Sequence, residues 1–211
     1  MNEYHKIHTI FKRDEKGKLI FGDFSRPEFE YLQHNDREWT EKVDGTNIRV
    51  MWKDGMVKFG GKTDRASIPS KLMNNLIEMF PEHKFMNLEH NIDEMCLYGE
   101  GYGAGIQKGG GNYSKIQTFV LFDVKIGHWW LLREAVKGIA RHFDIQTVPV
   151  IQRPLGKGSL WNAIDYIGSK EGFKSHWGDF QAEGLVLRPL VPLHARNGDR
   201  VIAKIKHRDF E

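Results

Sequence analysis

Polar and apolar positions alternate or run β-prone over residues 38–43 and 46–52, and they alternate cleanly in Ala203-Lys204-Ile205-Lys206. In an extended strand, residues two apart share a face, so Ala203 and Ile205 point one way and Lys204 and Lys206 the other. Lys53-Asp54-Gly55 predicts a hairpin turn into a strand over Met56–Phe59. Lys42 then ends one strand, facing the turn that begins the next. Further strands are predicted at Met95–Glu100, Ile116–Ile126, Leu185–Arg188 and Arg200–Lys206, the last two joined at Asn197-Gly198. Leu72, Leu76, Ile77 and Phe80 recur at helical spacing after Pro69, which predicts a helix within Ser67–Phe80. Leu131–His142 and Leu160–Gly168 also read as helices, Gly101–Ser114 as a glycine-rich loop, and Lys16-Gly17 as a turn between two short apolar stretches. Strands joined by turns, with a few helices packed on them, predict an α+β fold of antiparallel sheets.

Composition narrows the class. The length of 211 residues predicts one domain over 1–211. A chain of that size buries roughly 70% of its unfolded surface and needs no staples. Cys96 is the single cysteine, which excludes an internal disulfide and fits a reducing, cytoplasmic location. No apolar run approaches the ~20 residues that span a bilayer, so no membrane association is expected. The net charge of +3 is mildly basic and decides little by itself. The 22 glycines exceed the usual ~7% and suit tight turns or close approach of backbone to a ligand. No zinc-type His/Cys spacing, Walker-type loop or Ser-His-Asp arrangement is present.

The candidate chemistry starts at Lys42, within Glu41-Lys42-Val43-Asp44-Gly45-Thr46-Asn47. A nucleophilic lysine must shed its proton, which nearby positive charge favours. Lys204 and Lys206, on one strand face, can supply that charge and neutralise a phosphate; equally, they suit a solvated edge strand guarded against aggregation. Glu100 leaves a strand into Gly101-Tyr102-Gly103, as either an acceptor for ribose hydroxyls or an exposed turn carboxylate. Phe119 and Phe122 fall on opposite strand faces, one for the core and one able to stack a purine. Glu183 opens an apolar strand, either to hold a divalent cation through water or to pair with Arg188 or a lysine.

Three stretches together resemble the covalent nucleotidyltransferases, and most closely the RNA ligase 2 family of phage and editing ligases. They are Glu41–Asn47; Tyr98-Gly99-Glu100 with Gly103-Ala104-Gly105-Ile106-Gln107-Lys108; and Ala182–Pro189 with Arg196-Asn197-Gly198-Asp199-Arg200 through Lys206. The resemblance implies a nucleotidyltransferase domain in which Lys42 takes AMP from ATP, Glu100 binds the ribose and Phe122 stacks on adenine. It implies that Asn47 positions phosphate ends, Glu183 supports magnesium-dependent steps (manganese serving as well), and Lys204 and Lys206 contact the α-phosphate. Glu41, Lys62 and Arg188 complete the implied nucleotide-binding set, with Lys62 standing where the family usually carries arginine, whose planar fork a lysine lacks. The implied partner is RNA with 5′-phosphate and 3′-hydroxyl ends. The family's C-terminal domain is not expected within these 211 residues, so an accessory protein is a candidate to replace it. A DNA ligase, a GTP-dependent capping-type transferase and a non-catalytic RNA-binding module on the same fold are the competing expectations.

Overall fold

A computed structural model of the chain describes residues 3–88, 92–151, 158–169 and 173–210. In chain order its elements are β1 (His8–Thr9), β2 (Phe11–Arg13), β3 (Leu19–Phe24), α1 (Pro27–Tyr31), β4 (Arg37–Lys42), β5 (Thr46–Lys53) and β6 (Met56–Gly60). There follow α2 (Ser70–Met79), α3 (Glu82–Met86), β7 (Glu94–Tyr102), α4 (Gly110–Tyr113), β8 (Thr118–Ile126) and β9 (Trp129–Trp130). The chain continues through α5 (Arg133–Phe143), β10 (Gln146–Thr147), α6 (Leu160–Ile167), β11 (Gly184–Pro189), β12 (Ala203–Lys206) and a 3₁₀ turn at His207–Phe210. Two compact units result, one from Met1–Tyr4 with Asp44–Val148 and the other from His5–Val43 with Pro149–Glu211.

The first unit is built on a six-stranded sheet in the order β10-β8-β7-β5-β6, with β9 on β8. Asp54 (φ 53°) and Gly55 (φ 76°) both take left-handed conformations, as a two-residue hairpin turn between β5 and β6 demands. One sheet face carries Ile48, Val50, Leu97, Phe119 and Leu121 into a core completed by Leu72 and Leu76 of α2 and Val136 and Ala140 of α5. Each of those leucines is fully buried, worth at most roughly 1.5–3 kcal/mol. Gly99 is required beneath Phe119, because a Cβ there would lie 2.1 Å from the ring. The β7–β8 register shifts between Tyr98 and Gly99, so that Tyr98 pairs Asp123 while Gly99 pairs Leu121. Phe122 is the extra residue of that bulge and packs edge-on against Tyr4, with centroids 5.0 Å apart.

The second unit holds a four-stranded sheet in the order β1-β12-β11-β4 and a separate β2–β3 hairpin. Trp39, Leu185, Leu187, Ala203 and Ile205 face a core closed by Leu160, Ala163, Ile164 and Ile167 of α6. Ser159 starts α6 with a reciprocal cap, its hydroxyl bonded to the Asn162 N–H and the Asn162 side chain bonded back to the Ser159 N–H. Two charged residues of β4 share the core-facing side, Arg37 and Glu41. Arg37 is 0% exposed, and its Nε and Nη1 have no hydrogen-bond partner, leaving Nη2 to donate to Leu32 O at 3.4 Å. Burial pushes this guanidinium down to about 10.

The α+β architecture agrees with the sequence pattern, and the differences are local. β7 runs on to Tyr102, and a single helical turn, α4, forms inside the stretch expected to be all loop. The last strand begins at Ala203 rather than Arg200. Two pairings, β1 with β12 and β10 with β8, are parallel, because short segments from distant parts of the chain add to sheet edges. Among the described residues no helix is long and apolar enough to cross a membrane.

Candidate active site

In the second unit, Lys42 pairs with Gly184 across β4 and β11, and Gly184 pairs with Lys206 across β11 and β12. Lys42, Gly184 and Lys206 therefore form one row across three strands, with both lysines on the face away from the core. A Cβ on Gly184 would stand 2.1 Å from Ile205 O, so only glycine permits this approach. Glu183, immediately before the strand, spans the row. One carboxylate oxygen accepts from Lys42 Nζ and the other lies 2.6 Å from Lys206 Nζ. All three side chains are partly buried, so the pairs are shielded more than surface ion pairs are. Glu183 thus pairs with lysine, as one of its two sequence readings expected, and it does so with Lys42 and Lys206 together.

Thr40, Val186 and Lys204 make the adjacent row. Arg188 donates from Nη1 to Thr40 Oγ1 at 3.2 Å, which fixes its guanidinium along the same face. Lys204 is half-buried, and its alternation with Ala203 and Ile205 follows the sequence pattern. Glu41 lies on the opposite face of β4 from Lys42 and is 1% exposed. Its carboxylate accepts from Ser175 Oγ at 2.6 Å and from the His176 N–H at 2.8 Å. Burial raises its pKa above 4.5 against the opposing pull of those two bonds. Glu41 thus stands behind the lysine strand, tied to residues 175–176.

In the first unit, Asn47 stands directly opposite Glu100 in the β5–β7 ladder. Both are half-buried on the face away from the core, the side on which Tyr98, Asp123 and Phe122 also lie. Asn47 Oδ1 is buried without a donor. The turn before Asn47 is held by Gln107, whose Nε2 donates to Gly45 O at 2.9 Å, and by Tyr113, whose hydroxyl accepts the Asp44 N–H at 3.4 Å. A Cβ on Gly45 would fall 2.2 Å from Gly101 O, so Lys-x-Asp-Gly needs its glycine for packing against β7. Phe119 and Phe122 lie on opposite faces, as the strand pattern predicted, and Phe119 is the one in the core. Lys62 is exposed in the segment after β6. That segment is anchored by Arg49, a residue the sequence reading passed over. Fully buried, Arg49 donates to Gly61 O at 2.9 Å and to Asp64 at 2.6 Å. Its position two residues after Asn47 in a strand was the available signal. Thr40, Ser175 and Tyr113 gave none, since their roles depend on non-local contacts.

The geometry thus gathers Lys42, Glu183, Lys204, Lys206 and Arg188 in one unit, and Asn47, Glu100 and Phe122 in the other. Solved structures of similar fold include an unliganded aspartate-to-alanine variant of the Naegleria gruberi RNA ligase, with TM-score 0.66 and 19% identity, covering 99% of this chain and 58% of that one. A lysine-to-alanine variant of the same ligase with ATP and Mn has TM-score 0.65 and 19% identity over 97% of this chain and 57% of that one. The Naegleria gruberi RNA ligase with PPi has TM-score 0.65 and 20% identity, covering 96% and 61%. This chain accordingly spans less than two thirds of the ligases it matches. Among curated proteins none matches. The sequence model of the RNA ligase family matches residues 38–206, and the chain belongs to that family.

Proposed function

We propose that the protein is an ATP-dependent RNA ligase that works through a lysyl-AMP intermediate on Lys42. The observation that carries this reading is the shared Glu183 carboxylate, which holds Lys42 Nζ beside Lys206 Nζ on one sheet face of an RNA ligase family chain. In the first step the deprotonated Lys42 nitrogen bonds to the α-phosphorus of ATP while the bond to the bridging oxygen breaks and pyrophosphate leaves. Glu183, in contact with Nζ, receives the proton. Lys204 and Lys206 neutralise charge on the α-phosphate as it grows. Glu100 accepts from the ribose hydroxyls, Phe122 stacks on adenine, and Lys62 and Arg188 contact phosphate. AMP then passes to an RNA 5′-phosphate, and a 3′-hydroxyl displaces it to seal the strand, with Asn47 positioning the ends. Glu41 serves from behind, fixing the strand that ends in Lys42.

Magnesium or manganese completes this reading. Such ions keep several waters and take one or two carboxylates plus substrate phosphates, so Glu183 would serve as a protein ligand. Among the described residues no group of three or more His, Cys, Asp or Glu side chains could hold a metal by itself. The ion would supply charge neutralisation on the phosphates.

The test is incubation with labelled ATP and magnesium, followed by denaturing electrophoresis. An acid-labile label on the wild type that is absent from a folded Lys42→Ala variant is the expected result. Labelling by GTP alone would assign a capping-type transferase, and the absence of any label would leave a binding module. Nicked RNA and nicked DNA, offered in parallel, separate the two kinds of ligase.

A further inference from the structure

Arg49 puts a buried charge on the outer face of the first unit's sheet. It follows Asn47 by two residues in β5, so both side chains leave the same face of the strand. In the sheet it pairs with Tyr98 of β7 on one side and with Gly60 of β6 on the other. A Cβ on Gly60 would come 3.0 Å from Arg49 Nη2, so the guanidinium crosses β6 over a position that has no side chain. Past that strand, Nε donates to Gly61 O at 2.9 Å and Nη2 to Asp64 Oδ1 at 2.6 Å. The arginine side chain is 0% exposed, whereas that of Asp64 is 82% exposed. The bond from Arg49 holds the Asp64 carboxyl below the ordinary aspartate value.

Stability alone is a poor reason for such a group. Burying a guanidinium forfeits its hydration, and an apolar side chain of similar volume often serves a fold as well or better. What the planar fork supplies is a pair of fixed bonds, from one rigid group, to two points three residues apart. Lys62 lies between those points and is exposed. The segment also closes on itself, the Ala66 N–H donating to Thr63 O at 3.1 Å. Ordering a loop costs conformational entropy, and a loop already ordered leaves that cost out of ligand binding.

We propose that Arg49 is a positioning residue for nucleotide binding: through Gly61 and Asp64 it holds residues 61–64 so that the Lys62 ammonium meets the triphosphate of ATP. This rests on the ATP-dependent reading above and adds to it the residue that places one of its phosphate contacts. The test is a double-mutant cycle on the affinity for α,β-methylene-ATP with magnesium, measured by calorimetry on wild type, Asp64→Ala, Lys62→Ala and the double variant. That analogue cannot release pyrophosphate, so binding alone is read. Asp64→Ala should weaken binding about three- to fivefold, with a melting temperature close to wild type because the carboxylate is exposed. In the Lys62→Ala background the same substitution should change affinity by less than about twofold, since the lysine it would place is gone. Arg49→Lys, which keeps the charge and loses the fork, should weaken binding at least as much as Asp64→Ala. Equal losses from Asp64→Ala in the two backgrounds, no loss in either, or a wild type that does not bind the analogue would overturn the proposal. Labelling with ATP judges the ligase reading separately. A protein labelled on Lys42 whose cycle is additive keeps that reading and loses the role of Arg49; coupling without any label keeps the role in nucleotide binding and loses the transfer chemistry.

Discussion

Lys206 Nζ lies 2.6 Å from Glu183 Oε1, and the remaining oxygen of that carboxylate is taken by Lys42. Removing the Lys206 ammonium therefore leaves Glu183 with Lys42 alone and, in the proposed reaction, strips one cation from the path of the α-phosphate. Lys206→Ala should reduce the rate of self-adenylylation by roughly 10²–10³-fold, the scale on which loss of one preorganised charge-stabilising group acts. A time course with labelled ATP measures it. Because the side chain is only partly buried, the melting temperature should stay close to wild type, and a large drop there would mark Lys206 as structural.

Asn47 carries a buried acceptor with no donor. An unsatisfied buried polar group costs about 1–3 kcal/mol, so Asn47→Ala should leave the melting temperature unchanged or raise it by roughly 2–4 °C per kcal/mol relieved. The same substitution should slow sealing of pre-adenylylated RNA about 10²-fold, if the orphan oxygen meets its donor only in the substrate complex. Thermal melts and single-turnover sealing separate the two effects. A variant that melts lower would show that Asn47 is needed for folding.

Glu41 gives a pH prediction. Its folded pKa is raised above 4.5, with burial the largest cause, so the fold favours the protonated acid. That contribution is fully present below 4.5 and is lost as pH climbs through the raised value. Glutamine reproduces the protonated pattern, accepting from the His176 N–H and donating to Ser175 Oγ. Glu41→Gln should therefore match wild type at about pH 4 and melt higher by roughly 2–4 °C at about pH 8. Paired melts across that range check it; a difference that does not vary with pH removes Glu41 ionisation from the account.

Much of the lysine-bearing sheet was legible in the chain, for a local reason. Ala203-Lys204-Ile205-Lys206 states its own faces by alternation, and Asp54-Gly55 states its own turn. Glu41 and Arg37 obey the same alternation, yet their burial was hidden, because residue type alone argues for solvent and only the partners at Ser175, His176 and Leu32 reveal the interior. The β7–β8 bulge was equally silent, since one extra residue in a long β-prone run changes no periodicity that a short window can register. The parallel pairing of His8–Thr9 with β12 joins segments nearly 200 residues apart, a closure that no local pattern encodes. The division into two units leaves no mark on composition either, as the chain passes between them without a linker rich in glycine, proline or serine.

Gly184 occupies the middle of the row between Lys42 and Lys206, and it contributes only a hydrogen. The space between the two ammonium stems is thereby left to the Glu183 carboxylate, which meets both of them. A side chain added at position 184 would run into Ile205 O at 2.1 Å, so this face can change its chemistry only at the neighbouring positions Thr40, Val186 and Arg188.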